Sequence, residues 1–258
     1  SCSSVVLTKA GAGSLHEMVE VAATAGFGGI SLDGDTPDLS PAAFSFRASG
    51  ALVCQAQAHG IEWQCISCGT LMSTTESQEE ELRRRICIAH ALACPLVSFQ
   101  TLVGNPDTDP LDAYHAMVAT IQDAVEFAQD LDVCLAVETA RTSLVRTMQH
   151  AIDFVDDVDR RNLGIVYNPV EVAAAGGEEP HTAVGMARDY LLCTRLCGTD
   201  LLAIRRHEFD DVMRELRAAK FSEYCADCSR VHPEDSPPYI REQLAANQRH
   251  LHFLATLP

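Results

Sequence analysis

The sequence predicts an α/β fold: a single (β/α)8 TIM barrel in which residues 1–258 form one domain. Three observations carry this expectation. Eight short apolar runs alternate with eight amphipathic stretches, the pattern of parallel strands joined by helical crossovers. The chain has 258 residues, the length of one such barrel. No linker, composition shift or low-complexity segment divides it.

Taken in order, Ser3–Thr8 reads as the first strand. Ser14 with Glu17 three residues on has capping-box spacing and opens a helix to about Ala25. Gly26-Phe27-Gly28-Gly29 turns the chain into strand two, Ile30–Asp33. A second helix is expected over Pro41–His59, stopped by Gly60, and Ile61–Ser67 is strand three. Helix three covers Ser77–Leu92, and Leu96–Thr101 is strand four. After a Pro- and Asp-rich loop, Asn105–Asp112, helix four places Met117, Ile121, Val125 and Ala128 on one stripe. Helix five is expected over Ser143–Val155 and strand six over Leu163–Asn168. A short helix at Thr182–Arg188 precedes strand seven, Tyr190–Cys197. Glu208–Ala219 is helical, Glu223–Cys228 is strand eight, and Pro237–Leu254 is the closing helix.

The fifth strand lies in Asp132-Val133-Cys134-Leu135-Ala136-Val137-Glu138-Thr139-Ala140-Arg141. This apolar run ends in a carboxylate. In α/β folds ligands bind at the carboxyl ends of the strands, so Glu138 stands where chemistry is expected. A general base there would take a proton from substrate. The same residue also reads as a buried structural carboxylate paired with Arg141 or another arginine.

The formal net charge is −17, which disfavours nucleic acid and anionic membrane surfaces as partners. No apolar run reaches bilayer length, and the N-terminus shows no basic-then-apolar leader. Of the 11 cysteines, Cys54, Cys87, Cys94, Cys134, Cys193 and Cys225 sit in apolar runs and read as small buried hydrophobes. A soluble, cytoplasmic protein with a small-molecule substrate is the expectation; assembly into a homo-oligomer stays open. Cys65/Cys68 and Cys225/Cys228 are too far apart in sequence for a zinc ribbon. Gly11-Ala12-Gly13 lacks the third glycine of a dinucleotide loop, so no nucleotide cofactor is expected.

Several phrases resemble the xylose isomerase-like TIM barrel superfamily, which includes sugar-phosphate isomerases and epimerases and the family 2 AP endonucleases. They are Ala25-Gly26-Phe27-Gly28-Gly29-Ile30-Ser31-Leu32, where Ser31 replaces a usual Glu, His59-Gly60-Ile61-Glu62, Val137-Glu138, Leu163–Gly176, His207–Tyr224 and Pro237–Leu254. The resemblance implies a divalent ion held at the ends of strands five to eight by carboxylates and a His or Gln. Carried over, Glu138 matches the first ligand. The strand-six Asp is here Asn168, and the His three places on is Glu171. The strand-seven ligand falls on Cys197, and the strand-eight Glu on Cys228, or on Asp227 one residue earlier. An Asp turned to the helix layer would be buried without a partner, so Asp227 is expected to face the mouth.

The resemblance thus implies a degenerate metal site. Mg²⁺ or Mn²⁺ would rest on Glu138, Asn168 and Asp227, joined by Glu171 or Asp200. Zinc on Glu138, Cys197 and Cys228 is the other option, and a metal-free site is the third. The activity it implies is isomerisation or epimerisation of a small sugar-like or keto-acid substrate by proton abstraction next to a carbonyl. Glu138 would take the proton and Asp227 or Glu171 would return it. Gln100, Arg141, Asn168, Asp200 and Arg230 are the expected substrate-binding residues, with His207, His232, Ser31 and Asp33 as lesser candidates. A dehydratase or lyase on the same scaffold, and a ligand-binding barrel without turnover, are the alternatives. An abasic-site endonuclease is set aside on charge.

Overall fold

The computed structural model describes all residues except 73–75, 103–108, 199–208, 222, 228–234 and 257–258. The side chains of 72, 76 and 224–227 also lie outside what is described. The fold is α/β and barrel-like, with parallel strands alternating with helices. Two compact units make up the chain: Ser1–Gln64 with Arg195–Pro258, and Cys65–Thr194.

In the first unit, β1 (Cys2–Ser3) pairs in parallel with both β2 (Gly29–Leu32) and β8 (Tyr224–Asp227). The expected first strand, Ser3–Thr8, is corrected here. Only its start is extended, and Ser4–Lys9 is helix α1. The Ser3 hydroxyl accepts the Val5 backbone N–H at 3.2 Å, an N-cap that overrides the β-branched composition. Helix α2 (Leu15–Thr24) starts as the capping box predicts, with the Ser14 hydroxyl taking the Glu17 N–H at 3.3 Å.

Helix α3 is shorter than expected, Ser49–Ala58 rather than Pro41–His59. Residues 36–48 instead form successive turns with a 3-10 turn at Pro37–Leu39. Ser49 hydrogen-bonds back to the Phe46 carbonyl at 2.9 Å, a local bond of the kind that competes with helix continuation. Gly60 ends α3 with φ +67°, a left-handed conformation that favours glycine. The unit closes with α9 (Asp210–Ala218) and α10 (Pro237–Thr256). Arg241 of α10 donates to the Ala10 carbonyl at 2.7 Å, which ties the last helix to the end of α1.

The second unit carries an uninterrupted parallel ladder from β3 (Glu62–Met72) through β4 (Leu96–Leu102), β5 (Cys134–Glu138) and β6 (Leu163–Tyr167) to β7 (Leu191–Cys197). β3 and β7 also contribute residues to the first unit. β3 runs past its predicted end at Ser67, with a register shift between Ser67 and Thr70 where Gly69 has φ +73°. β5 starts later than its apolar run suggests. Asp132 adopts φ +56° and Val133 N–H bonds back to Ala128, so the C-terminal turn of the preceding helix absorbs both residues.

The crossovers of this unit are α4 (Glu76–Ala91), α5 (Pro110–Gln129), α6 (Met148–Val158), α7 (Pro169–Ala174) and α8 (Pro180–Ala187). The stripe Met117, Ile121, Val125 and Ala128 is buried as predicted. Phe154 of α6 is fully buried, edge-to-face with Phe99 of β4 and Tyr114 of α5. Helix five begins at Met148, not at Ser143, because Ser143 is spent on a turn that fixes the rim of the site. α7 was not anticipated, although Asn168 as cap and Pro169 at the first helical position are a readable start signal.

All described cysteines are free. Cys94 and Cys193 are buried as expected, whereas Cys87 and Cys134 are half-buried, Cys54 is exposed on α3 and the Cys225 side chain lies outside the described residues. Cys2 and Cys65 are buried as well. Cys65 donates to the Ser98 hydroxyl at 3.4 Å. Cys68 sits at the bulge of β3, and burial pushes its thiol up to about 11 despite nearby Arg85. A thiol raised this far carries little thiolate and is a poor nucleophile at neutral pH.

Two expected outcomes follow from this packing. A Cβ added at Gly164 would lie 2.5 Å from Leu192 Cγ and 2.6 Å from the Tyr190 carbonyl oxygen. Gly164→Ala should therefore destabilise the chain by about 1–3 kcal/mol, read as a lower urea midpoint with an unchanged slope. Glu178 accepts the first backbone N–H groups of α6, from Met148 at 2.8 Å and Gln149 at 3.1 Å. Burial opposes its charge, but these bonds, with His150 nearby, hold its carboxyl below the usual range. A folded-state pKa below the unfolded one stabilises the fold above the unfolded value and ceases to as pH falls through the folded one. The stability advantage over Glu178→Gln should thus be full at neutral pH and shrink as pH drops below about 4.3, checked by urea titrations across pH.

Candidate functional site at the ends of β5 and β6

Side chains alternate along a strand, so register decides which polar residues share a face. Ser98 lies beside Ala136, and Glu138 beside Val166. Counting on by two places Gln100, Glu138 and Asn168 on one face at the carboxyl ends of β4, β5 and β6. Glu138 is 2% exposed and Asn168 3%, while Gln100 is half-buried.

Asn168 sits where β6 ends and α7 begins. Its Oδ1 accepts the Glu171 backbone N–H at 3.3 Å, which caps α7. Its Nδ2 donates to Glu138 Oε1 at 3.3 Å. Its backbone N–H donates to the Thr139 hydroxyl at 3.0 Å. Thr139, buried on the opposite face from Glu138, thereby locks the end of β6 to the end of β5.

Asn168 and Glu171 have capping-box spacing, but the Glu171 side chain does not turn back to the cap. It accepts the Arg141 backbone N–H at 3.0 Å and faces the Arg141 Nε at 3.7 Å. The Arg141 side chain is 57% exposed, so the ion pair adds little and the backbone bond does the positioning. The loop that carries Arg141 is pinned from the other side. Thr101 Oγ1 and Ser143 Oγ lie 2.7 Å apart, and Leu144 N–H donates to the Thr101 carbonyl at 3.1 Å. The rim after β5 is therefore anchored to β4 and to α7.

The described residues at the ends of β5 and β6 do not by themselves suit a hard divalent ion. Such an ion requires several oxygen ligands, preferably anionic. Among the described residues here Glu138 is an anionic donor, and the neighbouring amide turns an N–H towards it. Among the described residues no group of three or more His, Cys, Asp or Glu is placed to hold a metal. Cys197, the last residue of β7, is half-buried and belongs to the first unit. Asp227 ends β8, and its side chain, like Asp200, Arg230, Cys228, His207 and His232, lies outside the described residues.

The first unit holds its own polar cluster at strand ends. Asp33 follows β2, and its Oδ2 accepts the Ser3 hydroxyl at 2.8 Å and the Ser4 hydroxyl at 3.1 Å. Arg195 Nη1 faces Asp33 Oδ1 at 3.6 Å. The Ser4 and Thr36 hydroxyls are 2.9 Å apart. Sequence reading named Ser31 and Asp33 here but missed Arg195. The available signal was an arginine inside the apolar run Leu191–Cys197, since an arginine in a buried strand requires a partner. Thr139, Thr101 and Ser143 were also missed. Their role is to bond backbone and neighbouring hydroxyls, and sequence spacing does not report that.

Comparison with known proteins places this architecture. The D-psicose 3-epimerase of Clostridium cellulolyticum H10, solved with D-tagatose, has a TM-score of 0.79 at 14% identity over 94% of both chains. The IOLI protein with a bound zinc atom has a TM-score of 0.78 at 15% identity, covering 99% of this chain and 97% of that one. The probable 3-DHS dehydratase AsbF of Bacillus anthracis has a TM-score of 0.74 at 15% identity over 97% of both chains. At these identities the likeness is one of fold. No curated protein matches the sequence. The sequence profile of the xylose isomerase-like TIM barrel matches residues 19–253. The chain belongs to the xylose isomerase-like TIM barrel family.

Proposed function

We propose that the chain is an isomerase or epimerase that acts by proton abstraction next to a carbonyl on a small sugar-like or keto-acid substrate. The observation that carries this reading is Glu138, a buried carboxylate at the carboxyl end of β5 with the Asn168 amide beside it. The substrate C–H bond breaks, its proton passes to Glu138, and its electron pair moves onto the carbonyl oxygen as an enediolate. Return of a proton to the former carbonyl carbon, with the hydroxyl proton of the adjacent oxygen passing to the former carbonyl oxygen, gives isomerisation, and return to the opposite face of the same carbon gives epimerisation. Gln100 shares the face of Glu138 and supplies an amide to a substrate oxygen. Arg141, held on its pinned loop beside Glu171, is the cation this reading assigns to developing negative charge.

Glu171 has a different role in this proposal from the proton return expected of it. Its carboxylate is committed to the Arg141 backbone, so it orients the loop. Asp227 keeps the proposed role of proton donor, and Asp200 and Arg230 those of substrate-binding residues. The proposal also takes residues 1–258 as one domain built on a closed (β/α)8 barrel. Pairing of β1 with both β2 and β8 supports closure, because an open sheet has no reason to bring its first and last strands together.

Elimination of a leaving group from the same enediolate would make the enzyme a dehydratase. One observation supports a third reading, a ligand-binding barrel without turnover: Asn168 is also a helix cap, so its bond to Glu138 serves the fold as well as a substrate.

Deuterium exchange distinguishes these readings. Purified protein in D2O, incubated with a panel of ketoses and keto acids, should label the carbon next to the carbonyl, followed by NMR. Glu138→Gln should lower that exchange by about 10²–10⁴-fold while the melting temperature stays close to that of the parent. Loss of a hydroxyl from the labelled substrate would assign dehydration. Ligand-induced thermal stabilisation without any exchange, unchanged in Glu138→Gln, would replace the enzymatic reading with the binding one.

A further inference from the structure

The amide of Asn168 is oriented by two bonds of opposite sense. Its oxygen accepts the Glu171 backbone N–H, and its nitrogen donates to the Glu138 carboxylate, both at 3.3 Å. A flipped amide would set N–H against N–H at the helix cap and oxygen against oxygen at Glu138. Both contacts would become repulsive. The network therefore turns the hydrogen-bearing end of the amide, not its oxygen, towards the Glu138 carboxylate.

We propose that Asn168 withholds divalent cations from the β5–β6 site, with its amide N–H standing against Glu138 where a cation would stand. A cation at Glu138 would meet the positive end of the amide dipole. To recruit the Asn168 oxygen it would have to break the cap of α7. Aspartate at position 168 removes both obstacles. One carboxylate oxygen can cap α7 as well as asparagine does. The other then lies beside Glu138, and two adjacent carboxylates repel until a cation joins them. This inference concerns the same site as the proposed function, but it is read from ion binding and is independent of turnover.

Calorimetric titration of the chelator-stripped full chain with MnCl2 tests it. Mn²⁺ is the probe because, as a hard ion, it prefers oxygen ligands to the chain's thiols. The wild-type protein should show no Mn²⁺ binding that Glu138→Gln removes. Asn168→Asp should bind Mn²⁺ tighter by on the order of 10- to 100-fold, and Asn168→Asp/Glu138→Gln should lose the gain. Asn168→Asp should also melt lower than wild type without metal and recover with Mn²⁺. Stoichiometric Mn²⁺ binding by the wild type that disappears in Glu138→Gln would overturn the proposal, and this arm does not depend on the aspartate variant folding. A folded Asn168→Asp with no gain in affinity would overturn it equally. Failure of deuterium exchange, by contrast, would remove the enzymatic reading and leave the binding result in place.

Discussion

Asn168 commits its backbone N–H to Thr139, its Oδ1 to the first turn of α7 and its Nδ2 to Glu138. Each bond joins a different element to the end of β6, and the residue is almost fully buried. In such surroundings an unpaired amide is costly, so the three bonds hold or fail together. The geometry of the second unit's strand ends depends on this. β5 and β6 finish in register, α7 leaves at a defined point, and the Asn168 amide stands beside the Glu138 carboxylate in a settled orientation. A residue of the same shape with two oxygens would keep the cap but reverse the electrostatics seen by Glu138.

Around this centre the rim is assembled from backbone bonds more than from charge pairs. Thr101 and Ser143 fasten the loop after β5 to β4, and Glu171 takes the Arg141 N–H from the other side. Glu178 then receives the first N–H groups of α6, so the segment between β5 and α6 is held at both ends. Carboxylates at helix starts and loop backbones are stabilised by the N–H dipoles they meet. A chain with net charge −17 thus places several of its acidic groups where backbone donors receive them. This pre-organises the rim, because a side chain on a fixed backbone reaches its working position without an ordering cost.

The first unit solves a related problem with hydroxyls. Asp33 gathers Ser3 and Ser4 at the ends of β1 and β2 and faces the guanidinium of Arg195. The Ser3 hydroxyl serves twice, as donor to Asp33 and as acceptor for the Val5 N–H that starts α1. That double use is why a run with strand composition becomes helix after two residues. Ser67 and Ser98 on the second unit's ladder, like Ser31 on β2, are buried neutral hydroxyls. Short hydroxyl side chains satisfy one another or nearby backbone without carrying a charge into the interior.

The sequence by itself determined the alternation of strands and helices, and with it the barrel-like class. Buried parallel strands must be apolar and their crossovers amphipathic, and both patterns are local. It also determined that Glu138 closes the β5 run, and that Ser14, Gly60 and the Met117–Ala128 stripe punctuate the helices as they do. Boundaries failed where a side chain reached across the chain. Ser3 converted a strand to a helix, and Ser143 left a predicted helix to join Thr101. Tertiary structure alone decided what Asn168 means. On paper it is an aspartate position with one oxygen replaced. In the fold it is an amide whose direction is imposed by a helix start and a neighbouring strand. No sequence pattern encodes which end of that amide faces Glu138, because the answer comes from donors and acceptors that meet only when β5, β6 and α7 come together.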